Sequence, residues 1–209
     1  MSRTLPSYPA DRLPIIDTVP VPACPLCGGT ARTPYAAGHD YELETCGNRW
    51  EMVSCSACRH VWLDPRPSEA SLDLIYPPTY YAYDYEKKVH PIAVRAKAWL
   101  DERKLDGILR GLDRPATRYL DVGCGSGRFL QAMERRGLSR DHLFGLELDA
   151  RVAARLREAG YQVDRARVED TSAIPAGSMD LITLFHVIEH VDDPRVVVER
   201  LAEWLAPGG

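Results

Sequence analysis

The sequence lacks a long apolar run, a long basic run and an internal repeat. No stretch approaches the roughly 18 apolar residues that a membrane span needs, and the N-terminus has no apolar core of signal-peptide length. Lys and Arg number 26 against 30 Asp and Glu, which gives a net charge of -4. We therefore expect a cytoplasmic protein without a membrane or nucleic-acid partner, because nucleic-acid binders concentrate basic charge.

Two of the cysteine spacings are typical of a metal site. In a reducing compartment, close C-x-x-C pairs hold a metal more often than they form disulfides. The pairs are Cys24 with Cys27 and Cys55 with Cys58. Four thiolates complete a closed tetrahedral site, so the sequence predicts a structural zinc ion. His39 and His60 are substitutes should one cysteine not bind, and packing is the alternative for them and for Cys46.

From Thr117 onward, short apolar strands alternate with helical patterns. Strands are predicted at RYLDV, HLFGLEL, YQVDRA and MDLITLF, and helices at GRFLQAMERRG, at DARVAARLREAG and after Asp193. Asp149 and Asp193 suit helix N-caps, and Gly137 and Gly160 suit helix ends. The alternation predicts an α/β fold with a Rossmann-like parallel sheet and flanking helices.

The loop DVGCGSGRF, from Asp121 to Phe129, joins the first of these strands to the first helix. Glycine lets backbone approach a ligand, and amides point outward from a helix start. The dinucleotide fingerprint G-x-G-x-x-G requires glycine where Arg128 stands, and Gly127 comes one residue early. The alternatives are a Rossmann-like sheet with a purely structural role and one that binds a dinucleotide.

An acidic residue followed by G-x-G-x-G resembles the nucleotide-binding loop of class I S-adenosylmethionine-dependent methyltransferases. Three further segments are similar to this family in the same order: LFGLELDA, ARVEDTSAIPAGSMDLITLFHVIEHVDDP and LAPGG. The resemblance covers most of residues 117–209. It implies S-adenosylmethionine as the cofactor and methyl transfer as the reaction.

The resemblance also implies cofactor-binding roles. Glu147 would accept hydrogen bonds from both ribose hydroxyls, since a carboxylate is a bidentate acceptor matched to a vicinal diol. Asp121 and the amides around three glycines would face the methionine moiety, Leu148 would pack on adenine, and Val168 and Glu169 would line the adenine edge. The glycines are Gly123, Gly125 and Gly127. Core packing for Leu148 and a solvated charge for Glu169 are the alternatives.

The segment FHVIEH is spelled like an inverted zinc-protease signature, which needs a helix to bring its histidines onto one face. Here it lies between a predicted strand and a predicted helix. By resemblance this loop lines the cofactor and the substrate entrance, so Phe185 is a cofactor-binding candidate and His186 the catalytic candidate, as a base. Alternatively, His186 and Glu189 hydrogen-bond backbone and fix the loop, His190 caps or packs, and positioning alone accelerates the transfer.

The order of two C-x-x-C pairs, LDPRP, YPPTYYAY and a methyltransferase core resembles a bacterial methyltransferase subfamily with an N-terminal zinc-binding domain. Some relatives modify sugars or other small metabolites, so the implied partner is a small-molecule methyl acceptor. Tyr80, Tyr81 and Tyr83 are candidates for a lid over the cofactor, with packing as the alternative. A non-catalytic zinc-binding adaptor and a protein or RNA methyltransferase are the alternative functions.

These patterns divide the chain into four parts. Residues 1–22 are predicted as a flexible leader, 23–66 as a zinc-ribbon-like module, 67–116 as a Tyr/Pro-rich bridge with linker helices, and 117–209 as the cofactor-binding core. The stretches YELET and RWEMVS suit short strands of the module, and one or two amphipathic helices are predicted from Pro91 to Leu112. The family core continues past PGG, so we expect a truncated core whose fourth strand is an unpaired edge.

Overall fold

The computed structural model describes residues 12–41, 43–75 and 90–209, which form two compact units. The first unit comprises the described residues up to 75, and the second comprises those from 90 onward. Tyr80, Tyr81 and Tyr83, the candidates for a lid, lie outside the described residues. Within the described ranges, no helix combines the length and apolar character required to cross a membrane.

The first unit consists of short antiparallel strands. They are β1 (Thr18–Val19), β2 (Arg32–Gly38), β3 (Trp50–Cys55), β4 (Val61–Leu63) and β5 (Arg66–Pro67). β2, β3 and β4 form a three-stranded sheet in that order, and β1 pairs with β5. A short helix, α1 (Leu72–Ile75), follows. The apolar core of this unit is small, and its cluster of buried residues consists of Cys24, Cys55 and Trp62 among the described residues. Small domains often need a metal or another crosslink for stability.

Part of the predicted leader is bound to this unit. The Asn48 side chain accepts a hydrogen bond from the Ile16 amide at 2.8 Å and donates one to the Ile16 carbonyl at 3.0 Å. The Asp64 carboxylate accepts from the Val21 amide at 2.6 Å. These contacts, together with strand β1, differ from the flexible leader that we expected up to residue 22. The sequence of this segment shows no apolar periodicity. Its conformation depends instead on side chains that are distant in sequence.

The predicted strand at YELET is wrong. Tyr41 and Leu43 lie in turns, and the Asp40 carboxylate accepts hydrogen bonds from the amides of Leu43 and Thr45. An aspartate that bonds to the backbone a few residues onward favours a turn over a strand. RWEMVS is confirmed as most of β3, which pairs with the unpredicted β2, Arg32–Gly38.

The second unit has a parallel four-stranded sheet, which confirms the predicted fold class. Its strands are β6 (Tyr119–Val122), β7 (Leu143–Leu146), β8 (Gln162–Asp164) and β9 (Leu181–Leu184). Their order across the sheet is β8-β7-β6-β9, and Asp121 is paired in register with Gly145 on one side and Thr183 on the other. The strand order reverses between β6 and β9, and ligands of open α/β sheets bind at such a point, outside the carboxyl ends of the strands.

Within residues 90–209, four α-helices accompany this sheet. They are α2 (Pro91–Arg110), α3 (Arg128–Arg135), α4 (Ala150–Glu158) and α5 (Pro194–Trp204). Both predicted N-caps are confirmed, because the Asp149 and Asp193 side chains accept hydrogen bonds from the first amides of α4 and α5. Gly137 and Gly160 have φ values of 98° and 90°, the left-handed conformation that glycine provides just past a helix.

The sheet separates two apolar cores. Tyr119 and Leu181 face the core formed with α2, α3 and α4, whereas Leu120 and Val122 face the core formed with α5. Because successive strand residues point to opposite faces, β6 is buried on both sides, as is usual for a parallel strand. Each fully buried Leu or Val contributes about 1.5–3 kcal/mol relative to an exposed one.

The predicted helical segment between Pro91 and Leu112 forms one helix, α2. Only the second half of the helix carries the core contacts, through buried Leu105 and partly buried Ile108 and Leu109. Trp99 and Leu100 are each 58% exposed. The apolar spacing therefore predicted the helix correctly, and the buried face is confined to its second half.

The outer edge of the sheet beyond β9 begins to be paired. Leu205 forms an isolated parallel bridge with Met179, and the Ala206 amide donates to the Met179 carbonyl at 2.8 Å. Among the described residues, β9 itself has only β6 as a strand partner. Strand β9 thus lies at this edge, whereas the bridge at Met179 differs from the unpaired edge that we predicted.

Candidate functional site

The glycine loop turns sharply between β6 and α3. Gly123, Gly125 and Gly127 have φ values of 67°, 50° and 78°, in the left-handed region that residues other than glycine rarely adopt. The amides of Gly123 and Cys124 both donate to the Leu146 carbonyl, at 2.8 and 3.0 Å. The loop is thus held against the end of β7, at the carboxyl edge of the sheet.

Two of these glycines also lie against neighbouring side chains. A β-carbon on Gly123 would come within 2.4 Å of Val187 Cγ2, and one on Gly127 within 2.5 Å of Leu156 Cδ2. Separations this short are steric clashes. The loop therefore requires glycine for packing as well as for its backbone conformation.

Glu147 follows directly after β7 and is 8% exposed. Its Oε2 accepts a hydrogen bond from the Gly125 amide at 2.9 Å, and its Oε1 accepts from the Asp149 amide at 2.8 Å. Each carboxylate oxygen has a second lone pair for another donor. Glu147 thus binds the glycine loop and retains acceptor capacity for a pair of hydroxyls.

Asp121 is the third of the four residues of β6 and is 2% exposed. Its Oδ1 accepts a hydrogen bond from Thr183 Oγ1 at 2.8 Å, and the Tyr119 hydroxyl is 2.6 Å from the same Thr183 oxygen. Burial raises the pKa of Asp121 to about 7, with a further contribution from the negative charge of Glu147. A ligand cation close to this carboxyl group would favour its ionised form.

The three residues predicted to contact adenine differ in exposure. Leu148 is 52% exposed and presents an apolar side chain to solvent beside Glu147. Val168 is buried in the core with Leu146 and Ile174, so its side chain contributes to packing. Glu169 is partly exposed. The structure thus places Leu148 and Glu169 at the surface and Val168 beneath it.

The segment after β9 does not form a helix across its histidines. Only Ile188–His190 forms a 3-10 turn, so the protease interpretation is excluded by the local structure. The His186 side chain is 85% exposed, and its Nδ1 lies 3.5 Å from Glu189 Oε1. His186 has φ of 58°, an uncommon backbone conformation for a residue other than glycine. His190, expected to cap or pack, is exposed, and its amide donates to the Val187 carbonyl at 2.9 Å.

Phe185 lies at the start of this segment and is directed toward helices α2 and α3. Its ring centroid is 4.6 Å from that of Phe129, the second residue of α3. The ammonium group of Lys104 in α2 lies 4.5 Å from the Phe185 ring. Phe185 thus links the end of β9 to the beginning of α3, next to the glycine loop.

The first unit contains a cluster of four cysteines, the same four predicted from the sequence. Cys24 Sγ lies 3.6 Å from Cys58 Sγ, and Cys27 Sγ lies 3.6 Å from Cys55 Sγ. All four sulfur atoms are within 4.8 Å of one another. A tetrahedral zinc ion with Zn–S bonds of about 2.3 Å holds its sulfur atoms about 3.8 Å apart. The residues present therefore fit a four-thiolate zinc site.

The two C-x-x-C segments have matching backbone turns. The Gly28 amide donates to the Cys24 carbonyl at 2.8 Å, and the Arg59 amide donates to the Cys55 carbonyl at 3.0 Å. Gly28 and Arg59 both have positive φ, 75° and 62°. In the second turn, hydrogen bonds from the amides of Cys58 and Ala57 lower the pKa of Cys55 to about 7. The pKa of Cys27 is raised to about 12: the Gly29 amide lowers it, but hydrogen bonds with the Cys58 and Cys55 thiols raise it. The amides of the second turn thus favour the thiolate form, which binds metal, at Cys55.

The two histidines considered as substitute zinc ligands, His39 and His60, make other contacts. His39 Nδ1 lies 3.1 Å from the Asn48 carbonyl oxygen, and the His60 ring stacks on Trp62 with centroids 6.2 Å apart. Cys46 and Cys124 are buried outside the sulfur cluster. The Cys124 sulfur would lie 2.7 Å from a β-carbon placed on Gly145, so it packs tightly against β7.

Sequence reasoning missed several residues around the glycine loop and the carboxyl edge of the sheet. Thr183 is the hydrogen-bond donor to Asp121, and Tyr119 bonds to Thr183 in turn. The signal in the sequence was the presence of these two hydroxyl side chains in strands that are largely apolar. Val187 and Lys104 gave no signal, because their contacts with Gly123 and Phe185 depend on how the elements pack.

The second unit, with a glycine loop after the first strand and an acid after the second, has the architecture of a Rossmann-like nucleotide-binding domain. A family model described as a methyltransferase domain matches residues 80–209. The chain belongs to this methyltransferase domain family.

Curated relatives match about half of the chain. It is 37% identical over 114 residues to a protein of Xanthomonas axonopodis pv. citri (strain 306) named ubiquinone biosynthesis O-methyltransferase, covering 53% of this chain and 47% of that protein. A protein of the same name from Aromatoleum aromaticum is 36% identical over 112 residues, with 51% and 47% covered. The chain thus spans about half the length of the curated relatives it matches.

Solved structures agree on the fold. The plantazolicin methyltransferase, solved in complex with SAH, superposes with a TM-score of 0.50 at 15% identity, covering 65% of this chain and 52% of that chain. At this identity the likeness concerns the fold alone.

Proposed function

We propose that this chain binds S-adenosylmethionine at the carboxyl edge of β6, β7 and β9 and transfers its methyl group to a hydroxyl of a small-molecule acceptor. The observation that carries the proposal is the Glu147 carboxylate, which lies next to the glycine loop and bonds to the Gly125 amide. The family membership supports methyl transfer. The names of the curated relatives, O-methyltransferases, support oxygen as the acceptor atom.

Residues at this edge of the sheet bind different parts of the cofactor. Glu147 accepts hydrogen bonds from the ribose hydroxyls, and the exposed Leu148 side chain covers a face of adenine, with Glu169 near its edge. Asp121, buried at the switch point, faces the cationic methionine end. The amides of Gly123, Gly125 and Gly127 and the Phe185 ring line the same end. These roles match the charge and exposure of each side chain.

In this proposal the chemistry depends on positioning of the reactants and on one base. When bound, the sulfonium cofactor supplies a methyl group that is already activated for transfer. The chain positions the two reactants, which can supply much of the acceleration. His186 accepts the proton of the acceptor hydroxyl at its imidazole, and Glu189, 3.5 Å from Nδ1, orients the ring.

The first unit holds a structural zinc ion in this proposal. The ligands are the thiolates of Cys24, Cys27, Cys55 and Cys58. Four protein ligands leave no open coordination position, so the ion stabilises the small unit and takes no part in the reaction. Its role is comparable to that of metals in other domains with small cores.

Binding and turnover are tested separately. Calorimetric titration of the full-length protein with S-adenosylhomocysteine and S-adenosylmethionine should show one site per chain. Tritiated S-adenosylmethionine is then incubated with a panel of phenols and nucleotide-linked sugars, and label in the acceptor is counted. No binding would refute the proposal. Binding without label transfer to any panel member would favour the non-catalytic adaptor, and transfer to added protein or RNA would identify a polymer substrate.

A further inference from the structure

Three buried polar side chains lie together on one face of the sheet, in β6 and β9. Tyr119 and Asp121 are two positions apart in β6, so their side chains point to the same face. Thr183 in β9 is paired in register with Asp121, which places the two side chains next to each other. The other residues of both strands are apolar. Burial of polar groups in such surroundings is costly unless hydrogen bonds pair them.

Hydrogen bonds connect these three side chains, which we call the hydroxyl network. Thr183 Oγ1 donates to Asp121 Oδ1 at 2.8 Å, and the Tyr119 hydroxyl oxygen lies 2.6 Å from the same Thr183 oxygen. A hydroxyl group has one proton to donate. Because Thr183 donates its proton to Asp121, the bond between Thr183 and Tyr119 requires Tyr119 as the donor. Both hydroxyl protons are therefore directed toward the carboxyl group.

This arrangement depends on the ionisation of Asp121. A carboxylate accepts hydrogen bonds strongly, whereas a neutral carboxyl group is a weaker acceptor or donates its own proton. If Asp121 donated to Thr183, one of the two hydroxyl protons would lose its acceptor. Both hydroxyl groups belong to buried residues, and within the described ranges neither has a hydrogen-bond partner outside the network. An unpaired buried donor is costly, so the network favours the ionised carboxyl group.

The other groups around Asp121 oppose this effect. Burial is the largest influence and raises the pKa of Asp121, and the negative charge of Glu147 also raises it. The hydroxyls of Thr183 and Tyr119 lower this pKa, and the net value is about 7. Cys124 in the glycine loop stays a neutral thiol, because burial and the two carboxylates raise its pKa. Helices α2, α3 and α4 contribute apolar residues to the core on this side of the sheet.

We propose that Thr183 and Tyr119 are positioning residues of the cofactor site, whose hydroxyls orient the Asp121 carboxyl group and favour the ionised form that attracts the cationic end of S-adenosylmethionine. This role rests on the proposed function. Both hydroxyls act through Asp121. The inference gives two residues in the interior of the sheet a part in cofactor recognition, beyond the residues of the loops after β6, β7 and β9.

The test measures the affinity of the full-length protein for S-adenosylmethionine by calorimetry at several pH values between 6 and 9. Thr183→Val keeps the branched shape of threonine and removes the donor, so Asp121 should ionise at a pH about one unit higher. The ratio of the variant Kd to the wild-type Kd should be about tenfold at pH 6 and should approach one at pH 9. Titration of the ligand itself cancels in this ratio.

Two further variants separate the hydroxyl from the side-chain shape. Thr183→Ser keeps the donor and should restore the wild-type dependence on pH. Tyr119→Phe removes one oxygen atom, and it should shift the dependence in the same direction as Thr183→Val but by less, because its effect passes through Thr183. Thr171→Val is a matched control, since Thr171 is a buried threonine whose hydroxyl donates to another carboxylate, that of Asp164, at 2.5 Å. Its Kd ratio should not change with pH.

A second ligand controls for distortion of the site. 5′-Methylthioadenosine lacks the amino-acid chain and the sulfonium charge, so its Kd ratio should not change with pH for any variant. For S-adenosylmethionine, a constant ratio for Thr183→Val, or for Tyr119→Phe if the valine variant does not fold, would overturn the inference. The same dependence on pH for Thr183→Ser and Thr183→Val would also overturn it. Failure of the wild type to bind either ligand would instead refute the proposed function.

Discussion

The carboxylate of Glu147 accepts a hydrogen bond from the backbone amide of Gly125, with 2.9 Å between Oε2 and the amide nitrogen. The two residues are 22 positions apart in sequence and follow neighbouring parallel strands. The second oxygen of the carboxylate accepts from the Asp149 amide that precedes α4. One side chain thus connects the glycine loop to the start of the next helix.

Glu147→Gln should weaken S-adenosylhomocysteine binding by about 10- to 100-fold. The amide nitrogen of glutamine cannot accept from Gly125 or Asp149, and the remaining neutral oxygen is a weaker acceptor for ribose hydroxyls. Hydrogen bonds to charged groups contribute about 1.5–3 kcal/mol, and about 1.4 kcal/mol corresponds to tenfold in affinity. Calorimetric titration checks this. Glu158→Gln, at an exposed position at the end of α4, is the control and should bind normally.

Binding of S-adenosylmethionine should strengthen as the pH rises from about 6 to about 8. The pKa of Asp121 is raised to about 7, so its carboxyl group ionises over this range and then attracts the cationic ligand. Asp121→Asn should remove most of this pH dependence. Methylthioadenosine, which is uncharged, should show little pH dependence with either protein. An identical pH profile for wild type and Asp121→Asn with S-adenosylmethionine would contradict the assignment.

The same shift has the opposite effect on stability. Because the folded-state pKa of Asp121 is above its ordinary value of 3.8, the folded protein binds more protons than the unfolded chain between these values. The contribution of Asp121 to the free energy of unfolding is therefore fully present below pH 4 and is lost as the pH rises through 7. Denaturant unfolding of wild type and Asp121→Asn across this range measures the difference.

Native mass spectrometry should find one zinc ion per chain, and Cys58→Ser should lose it. Each cysteine of the cluster provides one of four ligands, so a single replacement opens the coordination shell. Binding of structural zinc contributes about 10–16 kcal/mol in small zinc-binding peptides, so the first unit should unfold when a chelator removes the ion. Cys46→Ala removes a buried cysteine outside the cluster and should retain zinc. Retention of zinc by Cys58→Ser would exclude it as a ligand.

Gly123→Ala should destabilise the second unit by about 1–3 kcal/mol, through the positive φ and through contact of the new methyl group with Val187. Val187→Ala should relieve the contact, so the double variant should be more stable than the sum of the single effects predicts. Gly137→Ala is the control, because it has positive φ but no atom within 4 Å of the added carbon. Denaturant melts monitor all four variants. Additive effects of Gly123→Ala and Val187→Ala would show that the packing contact is not significant.

The sequence alone predicted much of the second unit. The alternation of strands and helices, the caps at Asp149 and Asp193, and the turn of the glycine loop depend on residues within a few positions of each other. Local patterns determine such features because helix caps, turns and strand burial are set by neighbouring side chains and backbone. The cysteine spacing similarly predicted the four residues of the sulfur cluster.

Strand β2 was not predictable in this way. Arg32–Gly38 is almost entirely exposed and contains Pro34 and three small residues, so it shows no alternation of apolar and polar side chains. Its strand conformation results from pairing with β3, with a register shift between Pro34 and Ala36. Conversely, YELET alternates but follows Asp40, whose side chain bonds to the backbone and favours a turn.

By itself, therefore, the sequence determined the fold class, the glycine loop, the acid at Glu147 and the four cysteines. Only the tertiary structure decided that Thr183 donates to Asp121, that Val187 covers Gly123, and that Lys104 lies on Phe185. These pairs join residues far apart in the chain. Their contacts depend on strand register and helix packing, which local periodicity does not specify.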